Sequence, residues 1–290
     1  MRAAHDNRLA IGFFDGVHLG HRAILQGARA ALTFRQHPIS VLAPEKAPRL
    51  LMSTDERVAA IRACGVQDVT VLDFTAELAH RTADEFVGFI RERFGSAGLT
   101  VRCGDNWRFG RGGAGDAEFL RAHGLSVEVV PYSEFRGEKV SSSRIRKCLE
   151  LGRIEDAVAM LGHDYETAGT VVCGKGVGRA LGYPTVNIDV GRPLSLMLGV
   201  YAVELAGARG VANYGFAPTM GADAWRVPTL EVHFLGRVPA ALAERPVVTF
   251  LRFLRPERTF GSAEELARQI AADCEEALRV SADEHGLKGE

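Results

Sequence analysis

Two histidines, His18 and His21, are the first residues of the chain whose spacing suggests chemistry. They follow an apolar run and the turn residues Asp15 and Gly16, so the segment IGFFDGVHLGHRAIL is predicted to form a strand, a tight loop and a helix. A separation of three positions puts both imidazoles on one face of that helix. Because a helix N-terminus presents unpaired N–H groups and a positive dipole end, the pattern predicts an anion site.

A second candidate phosphate site lies in the segment VSSSRIR at 140–146. Its hydroxyls, including that of Ser142, and the guanidinium of Arg146 come at another predicted helix start, with Lys139 just before them. Hydroxyls in this position can either cap the helix or bind a phosphate. Both interpretations stay open on the residues of this segment alone.

The segment GKGVGRALGYPTVN at 174–187 combines glycines with charge and oxygen ligands. Glycines let backbone amides approach a phosphate chain closely, and basic side chains add charge. Thr185 and Asn187 offer the hard oxygen ligands that suit Mg²⁺ beside a nucleotide. The residues predicted to contact phosphates here are Gly174, Lys175, Gly178 and Arg179.

Two further segments carry polar or aromatic candidates. LEVHFL at 230–235 alternates, so Glu231 and His233 share one face of a predicted strand and its apolar residues share the other. A strand glutamate is most often a solvated surface charge, so the spacing alone assigns Glu231 no function. In the glycine-rich loop GDNWRFGRGG at 104–113, Trp107 beside Asn106 is either a stacking platform for a flavin or adenine ring, or part of a buried aromatic turn.

The elements that must position these residues differ between the two halves of the chain. Residues 8–150 alternate apolar runs with helical patterns, which carry capping boxes at Ser53 and at Thr82. This alternation predicts a doubly wound parallel sheet, with ligands at the carboxyl ends of strands where the strand order reverses.

The second half has a different pattern. Residues 168–254 form short β-like runs separated by Gly, Pro and Asn, which predict a small antiparallel barrel or sandwich. A closing helix follows, and its i+4 apolar stripe is expected in the core: Leu266, Ile270, Cys274 and Leu278. We place the boundary near 162–167, giving domains 1–162 and 163–290.

Composition excludes several functional classes. The 35 basic and 36 acidic residues nearly cancel, so no overall field would attract nucleic acid or an acidic membrane. Apolar runs are too short for a membrane span, and the first residues lack the apolar core of a signal peptide. The five cysteines include no C-x-x-C pair and do not suggest a disulfide framework. A cytoplasmic protein with small-molecule substrates is expected, and its oligomeric state is left open.

The motifs resemble known families. The H-x-G-H loop and VSSSRIR resemble the two motifs of a nucleotidyltransferase superfamily, and TFRQHP at 33–38 and the loop at 104–113 resemble those of FAD synthetases. The string at 174–187 resembles the G-x-x-x-G-R-x-L-G-F/Y-P-T-x-N of riboflavin kinases. In this order, over about residues 8–280, they resemble the bacterial bifunctional riboflavin kinase/FAD synthetases.

The resemblance implies that the chain converts riboflavin to FMN and FMN to FAD, using ATP and Mg²⁺. For adenylyl transfer it implies catalytic residues His18, His21 and Arg146, and binding residues Gly12, Phe14, Asp15, Gly16, Asn106, Trp107, Lys139 and Ser142. For the kinase it implies the base Glu231, the metal ligands Thr185 and Asn187, and binding residues Gly174, Lys175, Gly178, Arg179, Pro184, Asn187 and Arg255.

The chain departs from the family after the glutamate strand, and two alternatives stay open, of which the first is supported by this departure. Where the family carries a D-L-Y-G-like element after the glutamate strand, this chain reads AALAERP at 240–246. The first alternative is a flavin- or nucleotide-binding regulatory protein with degenerate sites. The second is an enzyme with only the nucleotidyltransferase activity, whose C-terminal module is not catalytic.

Overall fold

The computed structural model describes residues 7–173, 185–216, 228–236, 239 and 241–280. The chain divides into two compact units, Met1–Ser142 and Ser143–Glu290. Five of the predicted binding residues lie outside the described residues: Gly174, Lys175, Gly178, Arg179 and Pro184.

The first unit is built on a parallel sheet of five strands in the order β3-β2-β1-β4-β5. The strands are β1 (Asn7–Ile11), β2 (Ala30–Phe34), β3 (Asp68–Leu72), β4 (Leu99–Gly104) and β5 (Ser126–Val130). A short antiparallel hairpin follows, formed by β6 (Glu134–Phe135) and β7 (Glu138–Lys139). The predicted doubly wound parallel sheet is confirmed.

Helices cover both faces of this sheet. They are α1 (Leu19–Leu25), α2 (Pro38–Leu42), α3 (Thr54–Ala63), α4 (Ala76–His80), α5 (Ala83–Phe94) and α6 (Ala117–Ala122), with 3-10 turns at Pro44–Lys46 and Arg111–Gly113. Both predicted capping boxes are present, at the starts of α3 and α5. Leu9 and Ile11 of β1 pack in the apolar layer that contains α5, while Ala10 packs in the opposite layer with α1 and α3.

The strand order fixes where a ligand can bind in this unit. From β1 the chain adds β2 and β3 on one side, then crosses to add β4 and β5 on the other. The order therefore reverses between β1 and β4, and the crevice at the carboxyl ends of these strands is the usual ligand position. The loops that leave those two ends carry the H-x-G-H motif and the sequence GDNWRFGRGG.

The second unit is a curled, antiparallel seven-stranded sheet, as expected, in the order β8-β14-β11-β12-β13-β10-β9. Its strands are β8 (Tyr165–Ala168), β9 (Thr170–Val172), β10 (Thr185–Asp189), β11 (Gly199–Leu205), β12 (Ala208–Gly215), β13 (Thr229–Phe234) and β14 (Val247–Pro256). Helix α7 (Ser142–Glu150) begins at the division between the units, α8 (Ile154–Leu161) follows it, and α9 (Ala263–Arg279) closes the unit.

Helix α9 packs on the sheet through a face that differs in part from the predicted stripe. Ala277 and Cys274 join the apolar cluster of the sheet, whereas Leu278 is 64% exposed. The expectation that the whole stripe lies in the core is therefore wrong at its last residue. Because an α-helix has 3.6 residues per turn, each i+4 step rotates the stripe by about 40° and carries its end away from the core.

Helix α8 belongs structurally to the sheet that follows it. It packs against β14, where Glu155 accepts a hydrogen bond from Arg252 at 3.0 Å. Just before α8, Gly152 has φ +72° and lies so close to Phe253 that a Cβ there would be 2.7 Å from the ring. These contacts group α7 and α8 with the second unit, whereas the sequence pattern predicts a boundary after residue 162.

Two fragments test this boundary. We expect residues 143–290 to fold and phosphorylate riboflavin, and residues 163–290 to be much less stable. The shorter fragment exposes the part of β14 that α8 covers, and each buried large apolar side chain contributes about 1.5–3 kcal/mol. Denaturant unfolding of both fragments measures the difference. Equal stability and equal activity would instead support the boundary near 162.

Candidate active sites

The loop after β1 has an unusual backbone. Phe14, Gly16 and Val17 have φ values of +58°, +81° and +38°. Residues other than glycine rarely adopt this left-handed backbone region, and such strain clusters at functional sites. Packing maintains it, because Phe14 and Val17 are both 1% exposed. Gly12 lies so close to Phe14 that a Cβ would be 2.8 Å from the ring, so a larger residue does not fit there.

Asp15 anchors this loop to two other segments of the first unit. Its buried carboxylate accepts the backbone N–H of Leu51 at 3.0 and 3.1 Å and that of Met52 at 3.2 Å. Its backbone carbonyl accepts the hydroxyl of Ser142 at 2.9 Å. Asp15 and Ser142, both predicted to bind ligand, therefore also hold the histidine loop in place.

The two histidines lie together at the start of α1. His18 is the N-cap, and its Nδ1 accepts the backbone N–H of His21 at 3.4 Å. The two rings stack, with 3.6 Å between centroids and 18° between planes. With Nδ1 as an acceptor, the proton of a neutral His18 lies on Nε2 and can be donated to a ligand. Since α1 has only seven residues, the predicted anion site would depend more on these side chains than on the helix dipole.

Charge at this site is set mainly by burial. Burial lowers the pKa of His21 well below its usual value, and neighbouring His18 and Arg57 lower it further. A group whose pKa is lowered stays neutral throughout the physiological range, so His21 is an uncharged imidazole there. It would act on a phosphate through hydrogen bonding and not through its charge.

Trp107 is the outermost ring of an aromatic stack in the loop after β4. It stacks on Phe109, with 4.8 Å between centroids and 27° between planes. Phe109 in turn packs against Phe86 and Phe119 inside the core layer of the first unit. The ring centroids of these two pairs are 5.2 and 5.9 Å apart, and the second pair is T-shaped. Half-buried Trp107 thus lies on a rigid aromatic base, as a stacking platform requires.

The predicted auxiliary charge, Lys139, lies close to the same loop. Its ammonium is 3.2 Å from the carboxylate of Asp105 and 5.1 Å from the ring centroid of Tyr132. This contact ties the β6–β7 hairpin to the exposed Asn106 region. The charge of Lys139 is therefore partly balanced before any ligand binds.

In the second unit, the sheet register brings the predicted kinase residues together. The Thr185 hydroxyl donates to Glu231 Oε1 at 2.6 Å, and Asn187 lies directly across from Glu231. Asn213, which sequence reasoning did not select, is the partner of Glu231 on the other side. The predicted alternation of β13 is present, with Leu230, Val232 and Phe234 buried and Glu231 and His233 on the opposite face.

This face borders a cavity of about 240 Å³. Strand residues Thr185, Asn213, Glu231 and His233 supply its polar wall. Apolar side chains of β11, β12 and α9 supply another wall: Val200, Val211, Leu266 and Ile270. Arg255, Glu257, Arg258, Phe260 and Asp273 complete the lining. The combination of an apolar body and a few clustered polar groups is typical of a small-molecule site.

Arg255, predicted to bind ligand, is held by a partner that the sequence did not reveal. Its Nε and Nη2 donate to the two oxygens of Asp273 at 2.9 and 2.8 Å, and Gln269 donates to the same carboxylate at 2.8 Å. The Asp273 side chain is only 6% exposed. The pair joins β14 to α9 across the cavity wall. Arg255 thus shapes the cavity, and any contact with ligand would be additional.

The remaining predicted residue, Arg146, lies on α7 in the second unit. It is largely buried, and its Nη1 donates to the Ser143 hydroxyl at 3.4 Å. Its role in adenylyl transfer stays a prediction from the sequence motif.

Some general features of the described chain bear on both sites. All five cysteines are free thiols. Among the described residues, His, Cys, Asp and Glu form no cluster of three that could hold a metal ion. In the same part of the chain, no helix has the length and apolar character needed to cross a membrane.

Comparison with known proteins gives a consistent result. Residues 1–144 match the family model described as FAD synthetase, and residues 161–281 match the one described as riboflavin kinase. The bifunctional riboflavin kinase/FMN adenylyltransferase of Escherichia coli K12 is 33% identical, covering 91% of this chain and 90% of the relative. The Pseudomonas fluorescens protein of that name is 34% identical, and the match covers 97% of this chain and 96% of the relative.

A solved structure supports the fold over nearly the whole length. It is a Streptococcus pneumoniae chain described as a macrolide-efflux protein, with a TM-score of 0.83 and 27% identity. The match covers 96% of each chain.

The Arg255–Asp273 pair yields a stability prediction. Asp273→Asn leaves a mostly buried guanidinium without its counter-charge, and breaking such a pair typically costs about 3–5 kcal/mol. We expect the second unit to lose most of that amount in denaturant unfolding. The double variant Arg255→Met/Asp273→Asn removes both charges and should regain much of the loss. If the single variant unfolds at the native midpoint, the pair does not stabilise the unit.

Proposed function

The chain belongs to the family of bifunctional riboflavin kinases/FMN adenylyltransferases, and from that membership we propose which residues carry each reaction. It is an enzyme with two activities: phosphorylation of riboflavin to FMN and adenylylation of FMN to FAD, with ATP as the donor in both. The observation that carries the proposal for the kinase is the hydrogen bond from Thr185 to Glu231.

For the kinase we propose Glu231 as the general base. Its carboxylate accepts the Thr185 hydroxyl on one oxygen, which orients the group on the cavity face of β13. It would take the proton of the riboflavin 5′-hydroxyl while that oxygen attacks the γ-phosphorus of ATP and ADP leaves. Asn187 and Asn213, on either side of Glu231 in the sheet, are placed to hold neighbouring polar groups.

The oxygen donors around Glu231 fit a magnesium ion. A hydroxyl from Thr185 and an amide oxygen from Asn187 are hard ligands of the kind that Mg²⁺ takes alongside phosphate oxygens. We propose that Thr185 and Asn187 hold the ion, which when bound neutralises charge on the ATP phosphates. Positioning of those phosphates by Gly174, Lys175, Gly178, Arg179 and Pro184 is proposed from the sequence motif.

We propose that the flavin ring of riboflavin occupies the cavity beside Glu231. The apolar wall from β11, β12 and α9 suits the ring, and the polar wall lies where the ribityl chain must present its hydroxyl. Arg255 maintains this shape through Asp273.

For adenylyl transfer, the FMN phosphate is already an anion and needs no base. It would attack the α-phosphorus of ATP, and pyrophosphate would leave. The enzyme's task is positioning and stabilisation of developing charge. We propose that His18 and His21 donate hydrogen bonds to the ATP phosphates, and that Trp107 supports an aromatic ring of the flavin or adenine.

The other residues predicted for this half have supporting roles. Gly12, Phe14, Asp15 and Gly16 shape the histidine loop, and the Ser142 hydroxyl holds it by donating to the Asp15 carbonyl. Asn106 and Lys139 border the aromatic platform, while Arg146 is proposed as a phosphate ligand from its motif.

The alternatives explain less of the structure. An enzyme with adenylyltransferase activity alone would not need Thr185 and Glu231 paired on a cavity wall. A regulatory protein with degenerate sites would not need the stacked histidines in a strained loop. We also propose a cytoplasmic location, because the free thiols suit a reducing compartment and ATP is abundant there.

Glu231→Gln tests the kinase proposal. The amide keeps the size of the side chain and loses its basicity, so riboflavin phosphorylation should fall by about 10²–10⁴. Conversion of supplied FMN to FAD should be unchanged, because the residues proposed for that reaction do not include Glu231. Glu204→Gln, the same change on β11 of the same sheet and at a residue that does not line the cavity, is the matched control. Near-native phosphorylation by Glu231→Gln would show that another group or water is the base.

Replacement of both histidines tests the adenylyl site. His18→Ala/His21→Ala should abolish FAD formation from FMN, since each lost donor to developing charge typically costs about 10²–10³ in rate. Riboflavin phosphorylation in the same preparation should continue. His80→Ala, on the exposed end of α4, is the control for histidine loss. Native FAD synthesis by the double variant would refute the assignment of the site.

A further inference from the structure

Arg57 is a charged side chain with no exposed surface. It lies one turn from the start of α3, and it is the largest by volume of the fully buried side chains among the described residues. Transfer of a guanidinium out of water is unfavourable, and an apolar side chain of similar length could fill the same space without that penalty. The presence of arginine here therefore requires an explanation beyond packing.

The contacts of Arg57 join the ends of two neighbouring strands. Its Nη2 donates to the carbonyl of Phe34, the last residue of β2, at 2.5 Å, and to that of Arg35 at 3.4 Å. Its guanidinium carbon lies 4.2 Å from the ring centroid of Phe13, which follows β1. His37 packs against the same Phe13 ring in a T-shaped arrangement, with 4.7 Å between the two ring centroids. One side chain thus links the loop of the histidine pair to the loop of TFRQHP.

The charge of Arg57 is retained in spite of burial. Burial lowers the pKa of Arg57 to about 10, and Asp15 opposes that shift. The guanidinium is therefore still a cation at neutral pH. Its field reaches His21, because Arg57 adds to burial and His18 in lowering the pKa of that histidine. Asp15 thus acts on Arg57, and both His18 and Arg57 act on His21.

Part of the hydrogen-bonding capacity of Arg57 is unused. Its Nε and Nη1 are buried and donate to no acceptor in the described chain. Unsatisfied buried donors are rare and unfavourable. The charge of Arg57 is opposed by Asp15, while two of its donors are left without an acceptor among the described residues.

We propose that Arg57 is a positioning residue for adenylyl transfer, which fixes the histidine loop against the end of β2 and supplies a permanent positive charge beneath the histidine pair. The inference rests on the proposed role of His18 and His21. Arg57 acts through this loop and does not touch substrate. Fixed positive charge in a low-dielectric site stabilises the negative charge that develops as pyrophosphate leaves.

The test compares variants of the full chain in the conversion of FMN to FAD. Arg57→Met fills a similar volume without charge, and Arg57→Lys keeps the charge. We expect the Met variant to lose about 10²-fold in kcat, with KM for ATP changing by less than about 3-fold. The Lys variant should recover to within about 10-fold of the native kcat, because it restores charge and one hydrogen bond.

Three controls separate positioning from loss of structure. Arg62→Met removes an exposed arginine from the same helix and should leave both activities within about 2-fold, as surface substitutions usually do. Riboflavin phosphorylation by each Arg57 variant should stay native. Arg57→Gln, which is neutral but can still donate to the Phe34 carbonyl, should behave like the Met variant and replaces it if that variant does not fold.

Two outcomes would overturn the proposal: native kcat in the neutral variants, or equal losses in Lys, Gln and Met, which would show that charge is not needed. The double histidine variant distinguishes failure of the Arg57 proposal from failure of the proposed histidine site. If it is inactive while Arg57→Met is native, only the positioning role is wrong. If it keeps native FAD synthesis, the histidine site on which the inference rests is wrong.

Discussion

The buried carboxylate of Asp15 is the constraint on which the arrangement of the first unit depends. The strained turn between β1 and α1 is stable only if something compensates for its positive φ angles. Asp15 does so by accepting backbone N–H groups of Leu51 and Met52, so the turn and the start of α3 are fixed by one group. The same carboxylate partly balances the charge of Arg57 on α3. Loop geometry, helix position and local charge are therefore coupled.

In the second unit, strand register positions the proposed site residues. The side chains proposed for the kinase reaction lie on neighbouring strands, so the antiparallel register alone puts Asn187, Glu231 and Asn213 in one row. A slip of one residue in β13 would turn Glu231 away from the cavity and bury its charge. Apolar Leu230, Val232 and Phe234 prevent that slip because their burial requires the observed register. The residues that hold the register are thus those that orient the proposed base.

The sequence predicted local features well and missed those that depend on distant partners. Strand alternation predicted the face of Glu231, and capping patterns predicted the starts of α3 and α5, because both are set within a few residues. Asp273 could not be selected, since an aspartate on an amphipathic helix resembles a solvated residue until β14 brings Arg255 beside it. Arg57 was missed for the same reason. Leu278 was wrongly assigned to the core because an i+4 stripe rotates around the helix.

The two buried arginines show how the surroundings of a charge decide its use. Arg255 is matched by both oxygens of Asp273, so the pair is nearly neutral as a unit and gives the cavity a rigid wall with little net field. Arg57 is held by carbonyl oxygens and a ring face, and its acidic neighbour Asp15 is already engaged by backbone N–H groups. The charge of Arg57 is therefore less completely cancelled, and its electric field lowers the pKa of His21. A bidentate ion pair fixes geometry but largely cancels its own electric field. A cation held mainly by neutral groups also fixes geometry and keeps its field. Fixed geometry and a positive field would both favour a reaction that releases pyrophosphate.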